Sequence, residues 1–356
     1  MQMTTPRHLL NLVVGGSLAL GLACHPAMAS GVTQTNLTSS VPGAATYTDP
    51  NMAGPWGMGY SPARGNWVVA EEGGGDLTVY GISGAPVASV WIVPPPSGQV
   101  THARPTGLAY NPTQTFIVSG CGGTGVADFL IDTEDGLISG RPGGACGTHT
   151  GTSLTTLIDK SASGAVYKGI AIYTAGGASY LLAANFHSGM VEVYNSAFAY
   201  VTSFRDANIP AAFAPFNVAV LNGAIYVAYA KQAAGGATDA PGAGNGYVDQ
   251  VSITGSVVTR FPARGPLNSP WGLAIAPSSW GPYANALLVG NSGDGRITAY
   301  NVTTHTQIGQ LTNTSGAVIA IPGLKGPNGY LHSAGTNANL YFSNASNLFG
   351  FLSYSP

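Results

Sequence analysis

The stretch Pro55-Trp56-Gly57-Met58-Gly59-Tyr60 has a near copy, Pro270-Trp271-Gly272-Leu273-Ala274-Ile275, late in the chain. Three relatives lie between them: Pro105-Thr106-Gly107-Leu108-Ala109-Tyr110, Tyr167-Lys168-Gly169-Ile170-Ala171-Ile172 and Pro215-Phe216-Asn217-Val218-Ala219-Val220. The second residues of these openings are 56, 106, 168, 216 and 271, so the steps between them are 50, 62, 48 and 55. Self-similarity at such a period marks an array of supersecondary units.

The same series follows each opening. A β-rich run comes next: 66–70, 115–119, 180–184, 224–229 and 286–289. A polar, glycine-bearing turn follows, as in 71–76, 120–125, 185–189, 242–246 and 291–295. Glycine there accepts the positive φ that tight hairpins need. A third, alternating run follows at 77–80, 191–194, 247–251 and 296–300, and a variable fourth at 88–93 and 257–261. Four antiparallel strands per unit of about 50 residues describe a propeller blade, which must stack on neighbours to bury its faces. A degraded sixth unit is expected at the end, opening at Tyr330-Leu331-His332-Ser333-Ala334 with strands at 339–343 and 348–353. That unit is one strand short, and residues 32–39 are expected to supply the missing strand and close the ring. The sequence therefore predicts an all-β, six-bladed β-propeller with four antiparallel strands per blade, the last completed by the N-terminal strand.

Composition narrows the function classes. Twelve Lys+Arg stand against 14 Asp+Glu, and 7% of the 356 residues are charged, where an average domain has about 25%. Without a basic surface, neither nucleic acid nor anionic lipid has an electrostatic hold. Residues 1–29 read as a signal peptide: Arg7 and His8, an apolar run broken by glycines, and a small-residue site after Ala29. Lipidation at Cys24 is the competing reading. Cleavage leaves residues 30–356 as a single mature domain, periplasmic or extracellular, with no transmembrane segment. Two cysteines remain, Cys121 and Cys146. In an oxidising compartment an even pair reads as a disulfide, with two buried thiols as the other possibility.

Several longer stretches carry a family likeness: Thr48-Asp49-Pro50-Asn51, Ser161-Ala162-Ser163-Gly164-Ala165-Val166-Tyr167-Lys168-Gly169, Asn185-Phe186-His187, Tyr229-Ala230-Lys231-Gln232 and Leu267-Asn268-Ser269-Pro270-Trp271-Gly272. Through them the chain resembles an uncharacterised family of exported bacterial six-bladed propellers, some of which end in a PEP-CTERM sorting tail. It resembles NHL-repeat propellers more distantly. The resemblance implies fold and export and carries no catalytic residue. No sorting tail follows the last blade here, and that blade lacks the family's Trp-Gly-Leu opening.

Two residue sets could meet at a channel mouth. One is the second residue of each opening: Trp56, Thr106, Lys168, Phe216 and Trp271. The other lies in the turns after the second strands: Glu71, Glu72, Asn185, His187, Lys231, Asn291 and Asp294. Propellers of the calcium-dependent gluconolactonase type place Asn or Asp in the openings; this set offers calcium too few oxygens, so no metal or other cofactor is expected. Trp56 and Trp271 are expected to pack between blades, and would stack on a sugar or a cation if exposed. Lys168 is one of four lysines and sits in an apolar opening, either ion-paired or activated. His187 is a possible base or ligand. Asp132-Thr133-Glu134-Asp135-Gly136 reads as a hairpin turn between third and fourth strands, and 232–245 as a mobile Ala/Gly-rich insertion.

The ligand-binding candidates are therefore Lys168, His187, Asn185, Trp56, Trp271 and Asn291. A non-catalytic binding or scaffold propeller comes first, a monomer that takes a protein or glycan ligand. A cell-surface structural protein comes second. A lactonase- or lyase-like enzyme using Lys168 and His187 comes third.

Overall fold

The computed structural model describes residues 1–2, 30–99, 101–143, 152–262, 265–325 and 339–356. It is a six-bladed β-propeller, built of four-stranded antiparallel blades in a ring. Blade one comprises Pro55–Ser61, Asn66–Glu71, Asp76–Gly81 and Pro86–Ile92, from the axis outward. Blade three follows the same order with Tyr167–Ala175, Ala178–Asn185, Met190–Asn195 and Tyr200–Phe204. Blade four has Phe213–Leu221, Ala224–Lys231, Gly246–Val251 and Val257–Arg260. Blade five has Pro270–Ile275, Leu287–Asn291, Ile297–Tyr300 and Gln307–Gln310. Among the described residues no helix is long and apolar enough to cross a membrane.

The apolar runs of the second strands have a direct cause. Successive strand residues point to opposite faces, and both faces of a blade are covered. In blade one, Val68 and Ala70 enter the core shared with blade two, while Trp67 and Val69 enter the core shared with blade six. Leu181 and Ala183, then Leu182 and Ala184, divide in the same way between the two neighbours of blade three. Among the described residues six such interblade cores occur, with a seventh at the axis.

The expected ring closure is present. Gly31–Ser39 pairs antiparallel with Leu348–Ser355, Val32 opposite Tyr354 and Thr38 opposite Phe349. Leu348–Ser355 in turn pairs with Leu340–Asn344.

Four expectations change. In blade two the strand next to the inner strand Pro105–Tyr110 is Gly123–Thr133, followed by Leu137–Pro142 and Thr155–Asp159. Ile117–Gly120 is an inserted arm that pairs only with the start of Gly123–Thr133. This insertion accounts for the long step of 62. It also makes Thr133–Gly136 the turn after the second strand, where the sequence pattern suggested a turn after the third.

The sixth opening is also displaced. Tyr330–Ala334, including His332, lies outside the described residues. Leu324 bridges Asn344, just as Pro55 faces Glu71, Tyr167 faces Asn185 and Pro270 faces Asn291. Lys325 is therefore the sixth second residue, 54 positions after Trp271. A pattern keyed on Pro-Trp-Gly misses it, although Leu324-Lys325-Gly326 echoes Tyr167-Lys168-Gly169.

The remaining two concern packing. The segment 232–245 is tied down by hydrogen bonds: Ala233 N donates to Thr238 O (2.8 Å), Ala240 N to Lys231 O (2.7 Å) and Gly242 N to Asn268 Oδ1 (2.7 Å). Trp56 and Trp271 pack against each other at the axis rather than between blades. Contact of Trp56 with Phe216 proves the placement, because blades one and four stand on opposite sides of a six-membered ring.

Neighbouring inner strands approach so closely at this end that the third residue of an opening has little room. A Cβ on Gly107 would lie 2.7 Å from Gly169 Cα and 2.7 Å from Asp132 Oδ1. Gly107→Ala should destabilise the fold by about 1–3 kcal/mol. In guanidinium titration the midpoint should fall with the slope unchanged.

Candidate functional site

Strand register shows that the two residue sets share one mouth. Each opening begins opposite the end of its second strand, so the openings and the following turns emerge together. Around the axis stand Trp56, Thr106, Lys168, Phe216, Trp271 and Lys325, all buried. Trp56 lies 6.2 Å from Trp271 and 6.5 Å from Phe216, ring centre to ring centre, and Phe186 lies 5.1 Å from Phe216. The Trp271 indole donates to the Lys168 carbonyl (2.7 Å), linking blades five and three. The other end of the axis differs. It holds an open cavity of about 360 Å³ whose lining includes Leu108, Ile170, Ile172, Val218 and Val220 with Tyr110, Tyr173 and Thr174.

Lys168 is 2% exposed, and its ammonium donates to Glu134 Oε1. Glu134 Oε2 accepts from Arg104 Nη1 (2.7 Å), and Arg104 also reaches Asp135 through Nε (3.2 Å). A chain of charges therefore runs from the axis to the rim, where Arg104 is exposed. Lys325 differs. Its Nζ donates to Ser292 Oγ (3.0 Å) and lies 3.8 Å from the centre of the Trp56 ring. Burial lowers its pKa to about 8, opposed by the charges of Asp239, Glu134 and Glu72. Glu72 is raised above the usual carboxylate range, first by burial and then by Glu134.

The asparagines are occupied by local structure. Asn185 Nδ2 donates to Glu192 Oε1 (2.8 Å), and its Oδ1 accepts from Val166 N (3.3 Å) and Ser188 N (3.2 Å). Asn291 Oδ1 accepts from Asn268 N (3.1 Å), and its Nδ2 donates to Pro266 O (2.7 Å). Both sit at the last position of a second strand and hold the loop that leads into the opening. His187 is exposed in the turn after Asn185, and no hydrogen bond joins it to Lys168 among the described residues. Among those residues no group of three or more His, Cys, Asp or Glu side chains could hold a metal. Cys121 lies in the turn of the inserted arm; Cys146 is outside the described residues.

Comparison with known proteins was made for sequence and for fold. No family model matches the chain. The uncharacterized protein R648 of Acanthamoeba polyphaga mimivirus is 30% identical over 301 residues, covering 82% of this chain and 72% of R648. The chain belongs to the R648 family. The uncharacterized protein L690 of the same virus is 28% identical over 291 residues, covering 79% of this chain and 74% of its own. Among solved structures, a streptogramin B lyase has a TM-score of 0.51 at 13% identity, covering 92% of this chain and 98% of the lyase. A structural-genomics protein of unknown function from Bacteroides thetaiotaomicron has a TM-score of 0.54 at 8% identity, covering 92% and 76%. These structural likenesses extend to the fold alone. The relatives found are viral, so the bacterial, exported setting implied by the sequence resemblance does not follow from them.

In this R648-family chain, sequence reasoning overlooked Glu134 and Lys325. Glu134 was hidden by the inserted arm of blade two. Lys325 was hidden by the replacement of Pro-Trp with Leu-Lys. The lysine shared by 167–169 and 324–326 was the signal available for the latter.

Two predictions follow from the burial of these acids. Lys168→Met leaves Glu134 with Arg104 as its remaining partner and should cost about 1–3 kcal/mol, as for one lost charged hydrogen bond. Glu134→Gln in the same chain should recover part of that loss, read as a double-mutant cycle of denaturation midpoints. Glu71 is fully buried, accepts from Ala53 N (2.8 Å) and Thr78 Oγ1 (2.6 Å), and is pushed by burial up to about 8. A carboxyl raised in the fold contributes stability that is full below its unfolded pKa and lost as pH rises through the folded value. Glu71→Gln should therefore flatten the fall in melting temperature between about pH 4.5 and pH 8.

Proposed function

We propose that the chain is an exported, non-catalytic propeller that binds a glycan or protein ligand at the mouth where the openings converge. One observation carries this reading. The second residues of the inner strands are buried and close the axis there, while Arg104, His187 and Lys231 stand exposed around it. Such a face offers a rigid, mixed aromatic and charged floor with adaptable polar groups at its edge, an arrangement suited to recognition. A lyase- or lactonase-like reading would need the Lys168 amine free beside His187. That ammonium is instead engaged by Glu134.

The decisive test uses the full chain and an array of acidic and neutral oligosaccharides, with recovery of the bound glycan. Binding of one class should fall at least tenfold in Arg104→Ala, Lys231→Ala or His187→Ala, and the glycan should be recovered with its mass unchanged. A cleaved or eliminated product that disappears in Lys168→Met would replace binding with catalysis.

Export is part of the same proposal. Residues 1–29 would direct it, and the secreted chain should begin at Ser30 by N-terminal sequencing. Cys121 and Cys146 would pair, tying the inserted arm of blade two to the segment that follows Leu137–Pro142. The intact mass of the unreduced secreted protein should then be lower by two hydrogens than after reduction. Sedimentation should give a monomer.

A further inference from the structure

Two donors at the mouth lack the partner their burial calls for. Trp56 and Trp271 occupy matching positions in blades one and five. The Trp271 indole N–H has its acceptor in the Lys168 carbonyl (2.7 Å). The Trp56 Nε1 is buried and has no acceptor among the described residues, although Trp56 itself is only 8% exposed. The two ring lysines divide in the same way. Lys168 is paired with Glu134. Lys325 is 9% exposed and forms no ion pair among the described residues; its ammonium donates to the neutral Ser292 hydroxyl. The ammonium without a counter-charge and the N–H without an acceptor are neighbours, the Lys325 Nζ above the Trp56 ring face, 3.8 Å from its centre, and the N–H at the ring's edge.

A buried donor without an acceptor is costly, and a buried cation without a counter-charge more so. Both deficits disappear when one negatively charged oxygen group accepts from both. We propose that Trp56 and Lys325 form a binding site for an anionic group, a carboxylate or a small oxoanion, at the axial mouth. The Ser292 hydroxyl can turn to donate to the same group. Lys168 Nζ, paired with Glu134, lies 5.1 Å from the Trp56 ring centre.

The acids that act on Lys325 are Glu72, Glu134 and Asp239. Glu134 is already neutralised by Lys168 and Arg104. Burial and then Glu134 raise the pKa of Glu72, opposed by Arg104, Lys168 and Lys325, and Asp135 is paired with Arg104. This inference rests on the reading of the mouth as a binding site and narrows the ligand to one carrying an anionic group.

The test is calorimetric titration of the full chain at constant ionic strength with sodium galacturonate, neutral galactose and inorganic phosphate. Galacturonate or phosphate should bind saturably and galactose should not. Phosphate binding as tightly as galacturonate identifies a small oxoanion as the ligand chemistry; galacturonate alone identifies a carboxylated ligand. Lys325→Met should weaken binding at least tenfold, Lys325→Arg should retain most of it, and Trp56→Phe, which keeps a ring but removes the N–H, should weaken it several-fold. Near pH 8 binding should take up protons, seen as a dependence of the heat on buffer ionisation, because an adjacent anion favours the charged amine.

The proposal fails if neither anion binds the wild-type chain at millimolar concentration, or if folded Lys325→Met binds as tightly as wild type. Should Lys325→Met not fold, undiminished binding by Trp56→Phe without proton uptake overturns it equally. Neutral oligosaccharide binding without anion binding would sink this inference and leave the wider binding reading standing.

Discussion

The close approach of the six inner strands at one end of the axis governs the rest of the molecule. Gly107 and Gly169 are so near that a methyl on the former would meet the backbone of the latter. Strands packed this tightly leave the preceding side chain nowhere to go except the axis. Trp56, Thr106, Lys168, Phe216, Trp271 and Lys325 are therefore gathered by backbone geometry, whatever their chemistry. The glycine that follows most of them is the local signature of this constraint.

Repetition sets the positions, and departures from repetition set the chemistry. Trp56, Phe216 and Trp271, backed by Phe186, pack at the axis, and a threonine caps one blade by donating to the Tyr167 carbonyl (2.9 Å). The two lysines cannot be accommodated by packing alone, because a buried ammonium needs charge or dipoles around it. Lys168 finds them in Glu134, supplied by the turn of the preceding blade. Among the described residues the Lys325 ammonium meets a hydroxyl and an indole face. The asymmetry of the mouth comes from this difference. The opposite end of the same strands, among the described residues, opens into a cavity lined by Leu108, Ile170, Ile172, Val218 and Val220 among others.

The turn residues that look most like ligand contacts in the sequence do different work. Asn185 and Asn291 end their second strands and hold the incoming loops through their side-chain amides. Leu324 faces Asn344 in the same relation, so this is a structural motif of the ring. An asparagine or acid at a turn reads alike from sequence whether it points to a ligand or to its own main chain, because both uses exploit the same short polar side chain.

Blade number, strand edges and ring closure were legible because they are written locally. Period-two alternation, glycine turns and repeated openings lie within single units, and residues 32–39 needed only one unit short of a strand to find their place. Blade two misled because an inserted arm imitates a second strand over 115–119, and alternation cannot tell which of two candidate strands lies next to the axis. The sequence by itself thus determined a six-bladed ring and most of the residues that ring its axis. Only the tertiary structure decided that Glu134 serves Lys168, that Lys325 lies against Trp56, and that the Trp56 N–H finds no acceptor among the described residues where Trp271 has one. Those contacts join blades distant in sequence, and their distances follow from strand register and ring geometry, which no local pattern encodes.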